Sequence, residues 1–399
     1  MMFFENDDNA VFVNPVETIN LEDIVFGRVS RDFKKYDEES IYFFNTSDYI
    51  DVIACKNIKA LVISQENAQL RLVKNALNIP VVVVEPKTSF FEGDIITINK
   101  NGRIHKNFRV RSKNNAFLVT ETCNNFCIMC PQPPKKNDAF QFSDLESRVS
   151  SIIGNIDPVD FPETLCITGG EPTMLKDSLI RIIDNISSAM PGTIIHLLSN
   201  GRTLSYPAYA HDIAKASRRR ILIAIPIFSH VSNIHDYIVQ CQGAFDQTIA
   251  GIYECYKNSI PVELRVVLHK QTIPYLIDLA EFISRNLFFV KHVALMGMEN
   301  MGFAKLNRDD LYMDPLDYKD TLSEAISLLK SHAIDVTIYN LPLCTVNNDV
   351  MDICEKSISD FKQVYFEQCK SCSKFEECSG FFSSTTEKFS LTRRITPFH

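Results

Sequence analysis

The chain has 399 residues, 45% hydrophobic and 23% charged, with a net charge of −8. That length suits two or three domains, or one large α/β unit with extensions. The acidic balance argues against a nucleic-acid partner, which leaves a basic footprint. The longest apolar runs, 79–84 and 221–228, are too short to cross a bilayer. The start, Met1-Met2-Phe3-Phe4-Glu5-Asn6-Asp7-Asp8, turns acidic at once and lacks the regions of a secretory signal. A cytoplasmic protein with no membrane partner is therefore expected. Twelve cysteines in such a chain point to metal binding rather than disulfides.

Residues 1–112 hold no clustered cysteines and read as an α+β domain of unclear role. Strands are expected over 60–63 and 81–84, with a helix over 68–76 between them. A hairpin is expected over 94–105, with Asn101-Gly102 as a type I′ turn. The stretch 77–104 resembles the swivelling phosphohistidine domain of phosphotransfer enzymes. No histidine lies between Asp51 and Asp94, so a structural or substrate-presenting role is expected instead.

From 113 to 335 strands and helices alternate. Strands are expected over 117–120, 164–167, 193–198, 221–227, 262–268 and 292–296. Alternating βα units imply a parallel sheet with right-handed crossovers, and six of them suggest a partial barrel. In such sheets the chemistry gathers at the C-terminal strand ends. Cys123, Cys127 and Cys130, spaced C-x3-C-x2-C, follow the first strand. Three thiolates that close can grip three irons of a cubane cluster and leave the fourth iron open. A structural zinc site would need a fourth ligand, and none stands nearby in sequence.

Further polar positions follow later strands. Thr168-Gly169-Gly170-Glu171-Pro172 follows the second, and Ser199-Asn200-Gly201 ends the third. The latter reads either as a binder of ribose or carboxylate or as a plain turn. His235-Asp236, after the fourth strand, reads either as a functional pair or as a satisfied surface histidine with an aspartate at a helix N-terminus. Arg265, among Val262, Leu264 and Val266, faces opposite to all three, toward the barrel interior, where it can pair with a carboxylate.

The tail, 336–399, opens with a short strand over 336–339 and carries Cys344, Cys354, Cys369, Cys372 and Cys378. Four of these, Cys344, Cys369, Cys372 and Cys378, suffice for one closed [4Fe–4S] cluster or for a zinc knuckle. Cys354 either replaces Cys344 as a ligand or is buried as a small hydrophobe.

The cysteine triplet resembles the C-x3-C-x-Φ-C motif of the radical S-adenosylmethionine (SAM) superfamily, with Met129 at the Φ position. Gly169-Gly170-Glu171 resembles that family's GGE motif, and the tail resembles the SPASM and twitch auxiliary-cluster modules of its peptide-modifying branch. The position four residues after Cys378, a cysteine in the fuller SPASM pattern, is Phe382. The resemblance implies a fold: a partial (β/α)6 barrel over 113–335, an N-terminal α/β extension and a C-terminal auxiliary-cluster module over 336–399. It also implies a SAM-binding [4Fe–4S] cluster on Cys123, Cys127 and Cys130, and one auxiliary [4Fe–4S] cluster. SAM contacts are implied at Met129, Gly169, Gly170, Glu171, Ser199, Asn200 and Arg265, and adenine contacts at the backbone of Leu295-Met296-Gly297-Met298-Glu299. Reductive cleavage of SAM to a 5′-deoxyadenosyl radical is the implied chemistry.

The flanks, Thr120-Glu121-Thr122-Cys123-Asn124-Asn125-Phe126-Cys127 through Pro133-Pro134, resemble the His-Xaa-Ser system radical maturase, C-type member. So do Lys356-Ser357-Ile358-Ser359-Asp360-Phe361 and Gly380-Phe381-Phe382. This implies a small peptide substrate rich in His-Xaa-Ser repeats, a flavodoxin- or ferredoxin-type electron donor and a partner maturase. A small metabolite or nucleobase as substrate, or a non-catalytic cluster module, are the alternative readings.

Overall fold

The computed structural model describes residues 2–4, 10–32, 40–44, 58–64, 78–136, 142–356, 363–385 and 391–399. The helix expected over 68–76, Cys55 and residues 357–361 lie outside the described residues. The chain divides into two compact units, one of 6–116 with 147–163, the other of 1–5, 117–146 and 164–399.

The first unit is built on an eight-stranded sheet. Its strands are β2 (Phe12–Val13), β3 (Glu17–Ile19), β4 (Val25–Ser30), β5 (Ile41–Phe44), β6 (Ala60–Ser64), β7 (Val81–Val84), β8 (Ile95–Ile98) and β9 (Ile104–Phe108). Strands β4 to β7 pair in parallel. Continuous apolar runs such as Val81-Val82-Val83-Val84 suit a parallel strand covered on both faces, and all four valines are buried. The β8–β9 hairpin stands where it was expected, but its turn differs. Asn99 to Gly102 close it, with the Gly102 N–H donating to the Asn99 carbonyl at 2.7 Å and only Gly102 at positive φ (+79°). A type I′ turn needs positive φ at both central residues, so Asn101 stays in ordinary conformation and Gly102 alone takes the left-handed one. A Cβ on Gly102 would also lie 2.2 Å from the Thr18 side chain.

The second unit carries the eight-stranded sheet β10 (Asn115–Thr120), β11 (Thr164–Gly169), β12 (Ile194–Leu198), β13 (Ile221–Pro226), β14 (Val262–Leu268), β15 (His292–Gly297), β16 (Val336–Tyr339) and β17 (Cys354–Glu355), in sequence order. From β11 to β17 every neighbouring pair is parallel. The sheet curls: His196 of β12 and Glu263 of β14 approach to 3.7 Å although β13 separates their strands. Outward residues such as Leu165, Ile167, Ile195 and Leu264 are fully buried. Helix α2 (Asp177–Ala189) shows the pattern that covers such a face, burying Leu179, Ile182, Ile183 and Ile186 at helical spacing.

Two strands extend the expected six. The strand over 336–339, read as part of the tail, pairs in parallel with β15. Helix α9 (Pro315–Ser331) supplies the crossover that returns the chain to this edge. The tail's own sheet has β18 (Gln363–Phe366) at its centre, with β19 (Phe381–Phe382) on one side and β1 (Met2–Phe4) on the other. Among the described residues no helix is long and apolar enough to cross a membrane.

Candidate functional site

The cysteine loop leaves the C-terminal end of β10 and is pinned along its length. The Phe126 and Ile128 N–H groups donate to the Val239 and Ile238 carbonyls (3.0 and 2.9 Å), at the end of helix α4 (Ser232–Val239). Asn307 Nδ2 donates to the Ile128 carbonyl at 2.8 Å, and the Phe303 N–H to that of Cys130 at 2.8 Å. Arg202 Nη1 donates to the Asn124 carbonyl and to Asn125 Oδ1 at 2.7 and 2.6 Å. Met129 is 5% exposed and packs with Phe228, Ile238 and Met298. Its side chain therefore backs the loop as core, and Met298 ties the run after β15 to it.

The three thiols share one electrostatic neighbourhood. Burial pushes Cys123 up to about 11 and raises Cys127 and Cys130 as well. Such thiols become thiolates only beside a strong positive charge, which bound iron provides. Among the described residues no three His, Cys, Asp or Glu side chains are placed to hold a single metal ion. A cubane needs a wider grip than a lone ion, since each thiolate takes a different iron. Three thiolates are the donor set for three irons of such a cluster.

Gly169 and Gly170 have a reason that sequence reading assigned to a ligand. The Gly170 N–H donates to the Thr120 carbonyl and the Glu171 N–H to the Thr122 carbonyl, both at 2.8 Å. A Cβ on Gly170 would lie 2.1 Å from the Thr122 oxygen, and one on Gly169 2.5 Å from the Thr120 oxygen. The glycines let the end of β11 lie directly against the root of the cysteine loop.

Glu171 is 1% exposed. Its Oε1 accepts from the Thr173 N–H, Thr173 Oγ1 and Ser199 Oγ at 3.0, 2.6 and 2.8 Å, and its Oε2 from the Asn200 N–H at 2.6 Å. Burial raises its pKa, and these donors oppose the rise. Asn200 Nδ2 donates in turn to Asn124 Oδ1 at 2.6 Å, and the Gly201 N–H donates to Ser199 Oγ at 3.0 Å. Glu171, Ser199 and Asn200 thus lock β11, β12 and the cysteine loop together.

The His235-Asp236 pair resolves as structural. Asp236 accepts from the Gly243 and Phe245 N–H groups (2.6 and 2.8 Å), capping helix α5 (Ala244–Lys257). His235 is 1% exposed among aromatic rings, with burial holding its pKa down to about 4.

Asn300, just past β15, was not singled out from sequence. Its side-chain nitrogen and oxygen are both buried without a hydrogen-bond partner among the described residues. Asn300 stands three residues before Phe303, whose N–H meets the Cys130 carbonyl, and lines a cavity with Met298, Arg308 and Tyr312; an orphaned amide there is a ready donor and acceptor for a polar group. No sequence pattern marks a single Asn for this; only its surroundings do.

Arg265 does face the barrel interior, and its Nε donates to Glu263 Oε1 at 2.6 Å. The tail cysteines also converge. Cys344, Cys369, Cys372 and Cys378 line one cavity, walled by Tyr365 and Phe398. Backbone N–H groups of Leu343 and Gly380 reach the Cys378 sulfur at 3.4 Å, and that of Phe398 reaches Cys372 at 3.3 Å. Cys354 does not line the cavity; its thiol lies 3.5 Å from the Val350 carbonyl.

A profile of the radical SAM superfamily matches residues 117–283. The chain carries a radical SAM domain. Members of this family bind a [4Fe–4S] cluster and SAM, and the cysteine loop of the domain has the donors for the cluster. Among curated proteins none matches the chain in sequence. Of solved structures, "Native anSMEcpe with bound AdoMet and Cp18Cys peptide" is 13% identical, with a TM-score of 0.50 over 71% of this chain and 91% of that one. Methylornithine synthase (PylB) is 12% identical, with a TM-score of 0.42 over 56% of this chain and 63% of that one. At these identities the first likeness concerns the radical SAM fold alone.

Proposed function

We propose that the chain is a radical SAM enzyme that modifies a ribosomally made peptide or protein, with a His-Xaa-Ser repeat peptide as the substrate class. The observation that carries this is the second cysteine site. Four cysteines line one apolar cavity beyond the matched domain, where peptide-modifying members place an auxiliary cluster. The fold likeness to a protein whose structure holds AdoMet and a peptide supports it.

In this reading Cys123, Cys127 and Cys130 hold the first cluster and leave one iron for SAM. Gly169 and Gly170 seat the end of β11 against that loop, and the backbone of Leu295-Met296-Gly297-Met298-Glu299 lines the adenine. When bound, the reduced cluster and SAM supply a hydrogen-abstracting radical. The curled sheet then encloses the reacting groups and limits water. Cys344, Cys369, Cys372 and Cys378 hold an auxiliary [4Fe–4S] cluster, the backbone N–H donors tune its potential, and a flavodoxin- or ferredoxin-type protein supplies electrons.

Anaerobic reconstitution should load about eight irons per chain, two [4Fe–4S] clusters. Dithionite and SAM should then yield 5′-deoxyadenosine, and Cys127→Ala should abolish it. Full 5′-deoxyadenosine release in Cys127→Ala would sink the reading. Modification of a free metabolite but of no peptide would move the substrate to the small-molecule class.

A further inference from the structure

The interior of the curled sheet holds an ionisable cluster with no part in the sites above. Glu263 is its hub. Its Oε1 accepts from Arg265 Nε at 2.6 Å and lies 3.7 Å from His196 Nε2, and its Oε2 lies 3.3 Å from His292 Nδ1. His292 Nε2 contacts Thr337 Oγ1 at 2.8 Å. Cys166 and Tyr339 also feel the charges of Glu263 and Arg265. Burial pushes the pKa of Glu263 up, but the two imidazoles and the guanidinium outweigh it and hold the carboxyl well below its usual range. Glu263 is an anion here.

The cluster leaves donors unused. Among the described residues Arg265 hydrogen-bonds through Nε alone, so neither terminal nitrogen has a partner. His196 Nε2 is buried and, at 3.7 Å from Glu263, makes no hydrogen bond. The Arg265 guanidinium, through Nε, and His196 Nε2 approach the same oxygen, Glu263 Oε1, at 2.6 and 3.7 Å. A network that served only to brace the barrel would turn the buried His196 nitrogen onto a protein acceptor, because an unpaired buried donor is costly. The side chains of Arg265 and His196 keep 15% and 13% of their exposure although they point inward. The interior is therefore open beside them.

We propose that Arg265 and His196 form a carboxylate-binding subsite for the substrate, with Glu263 and His292 as positioning residues. A guanidinium held at Nε presents its two terminal N–H groups as a fork that matches a carboxylate. Glu263 fixes the fork, and His196 adds a third donor. The inference rests on the peptide-modifying reading and narrows it to a peptide presenting an acidic side chain or its own C-terminus. Depth separates this subsite from the SAM site. Cys166 and His196 sit three residues before Gly169 and Ser199, about 10 Å along the strands.

The test uses the full chain, anaerobically reconstituted with SAM. Saturation-transfer NMR compares N-acetyl-aspartate α-amide (side-chain carboxylate), N-acetylglycine (terminal carboxylate) and N-acetylglycinamide (no carboxylate). One or both carboxylate probes should bind, and the amide should not. Arg265→Gln should weaken the binding at least tenfold, and so should Glu263→Gln/Arg265→Gln, which leaves no unpaired charge and so guards against misfolding. SAM retention by equilibrium dialysis is read in the same variants, because the family resemblance implies a SAM contact at Arg265. Equal binding of all three probes, no binding of any, or full binding in both variants would overturn the subsite. Lost SAM retention with probe binding intact would assign Arg265 to the SAM carboxylate instead. 5′-Deoxyadenosine release in the same samples tells the two failures apart: with release intact only the subsite falls, whereas without cluster or release the enzymatic reading falls too.

Discussion

Glu171 gives its carboxylate to four protein donors, and two of them come from Ser199 and Asn200 at the end of the next strand. In Glu171→Gln an amide N–H₂ must face one of those donors. Stability in urea should fall by about 1–3 kcal/mol, with weaker retention of iron. An unchanged midpoint would mean the carboxylate is not the lock described. His269 sets a pH dependence. It is fully buried, and burial holds its pKa down from 6.5 to about 3. Between those values the unfolded chain binds a proton that the folded chain does not. The stability is therefore complete above about pH 6.5 and is lost as pH falls toward 3. From pH 7 to pH 5 the loss due to this group is about 2 kcal/mol. His269→Asn, whose Oδ1 can replace Nδ1 as acceptor for the Gln271 N–H, should remove that share of the slope in paired urea titrations. The cysteine triplet and Gly169-Gly170-Glu171 were legible because short spacing carries them. The links from Glu171 to Ser199 and Asn200 were not, since those residues lie 28 and 29 positions away. Glu263 was within reach: it shares the inward face of Arg265 by simple alternation.

Elements show the same division between local and distant causes. Alternating strands and helices were readable because apolar runs bounded by polar turns mark each one. The placement of β16 was not, because a four-residue strand shows no sign of which neighbour it will join. The hairpin was found but its turn type was not, because Asn101-Gly102 is compatible with more than one turn. The role of Asp236 needed the fold: its acceptors point at the start of helix α5. Asp236→Ala should cost about 1 kcal/mol, as the loss of a helix cap does, and should leave SAM cleavage in place. In the tail, Cys344 lines the cavity and Cys354 does not. Cys344→Ala should lower the iron content by about four per chain, the auxiliary [4Fe–4S] cluster, while Cys354→Ala should leave it intact. The opposite pattern would make Cys354 the ligand.

At the scale of the whole molecule, the chain places a three-cysteine site at the head of a curled parallel sheet and gathers four more cysteines in the segment beyond it. Three thiols leave an open iron, where chemistry can occur; four close a cluster that moves electrons or shapes a substrate site. The strand β1, from the start of the chain, completes the sheet of the cysteine-rich tail, a pairing across more than 350 residues that no local pattern announces. The central claim is that the open iron serves hydrogen abstraction from a peptide. The most direct measurement is isotope transfer: the reconstituted chain, SAM and dithionite are incubated with a perdeuterated peptide of His-Xaa-Ser repeats, and the 5′-deoxyadenosine is analysed by mass spectrometry. Deuterium in the 5′-deoxyadenosine is the predicted result; 5′-deoxyadenosine formed steadily with no deuterium, while the peptide remains unmodified, would contradict it.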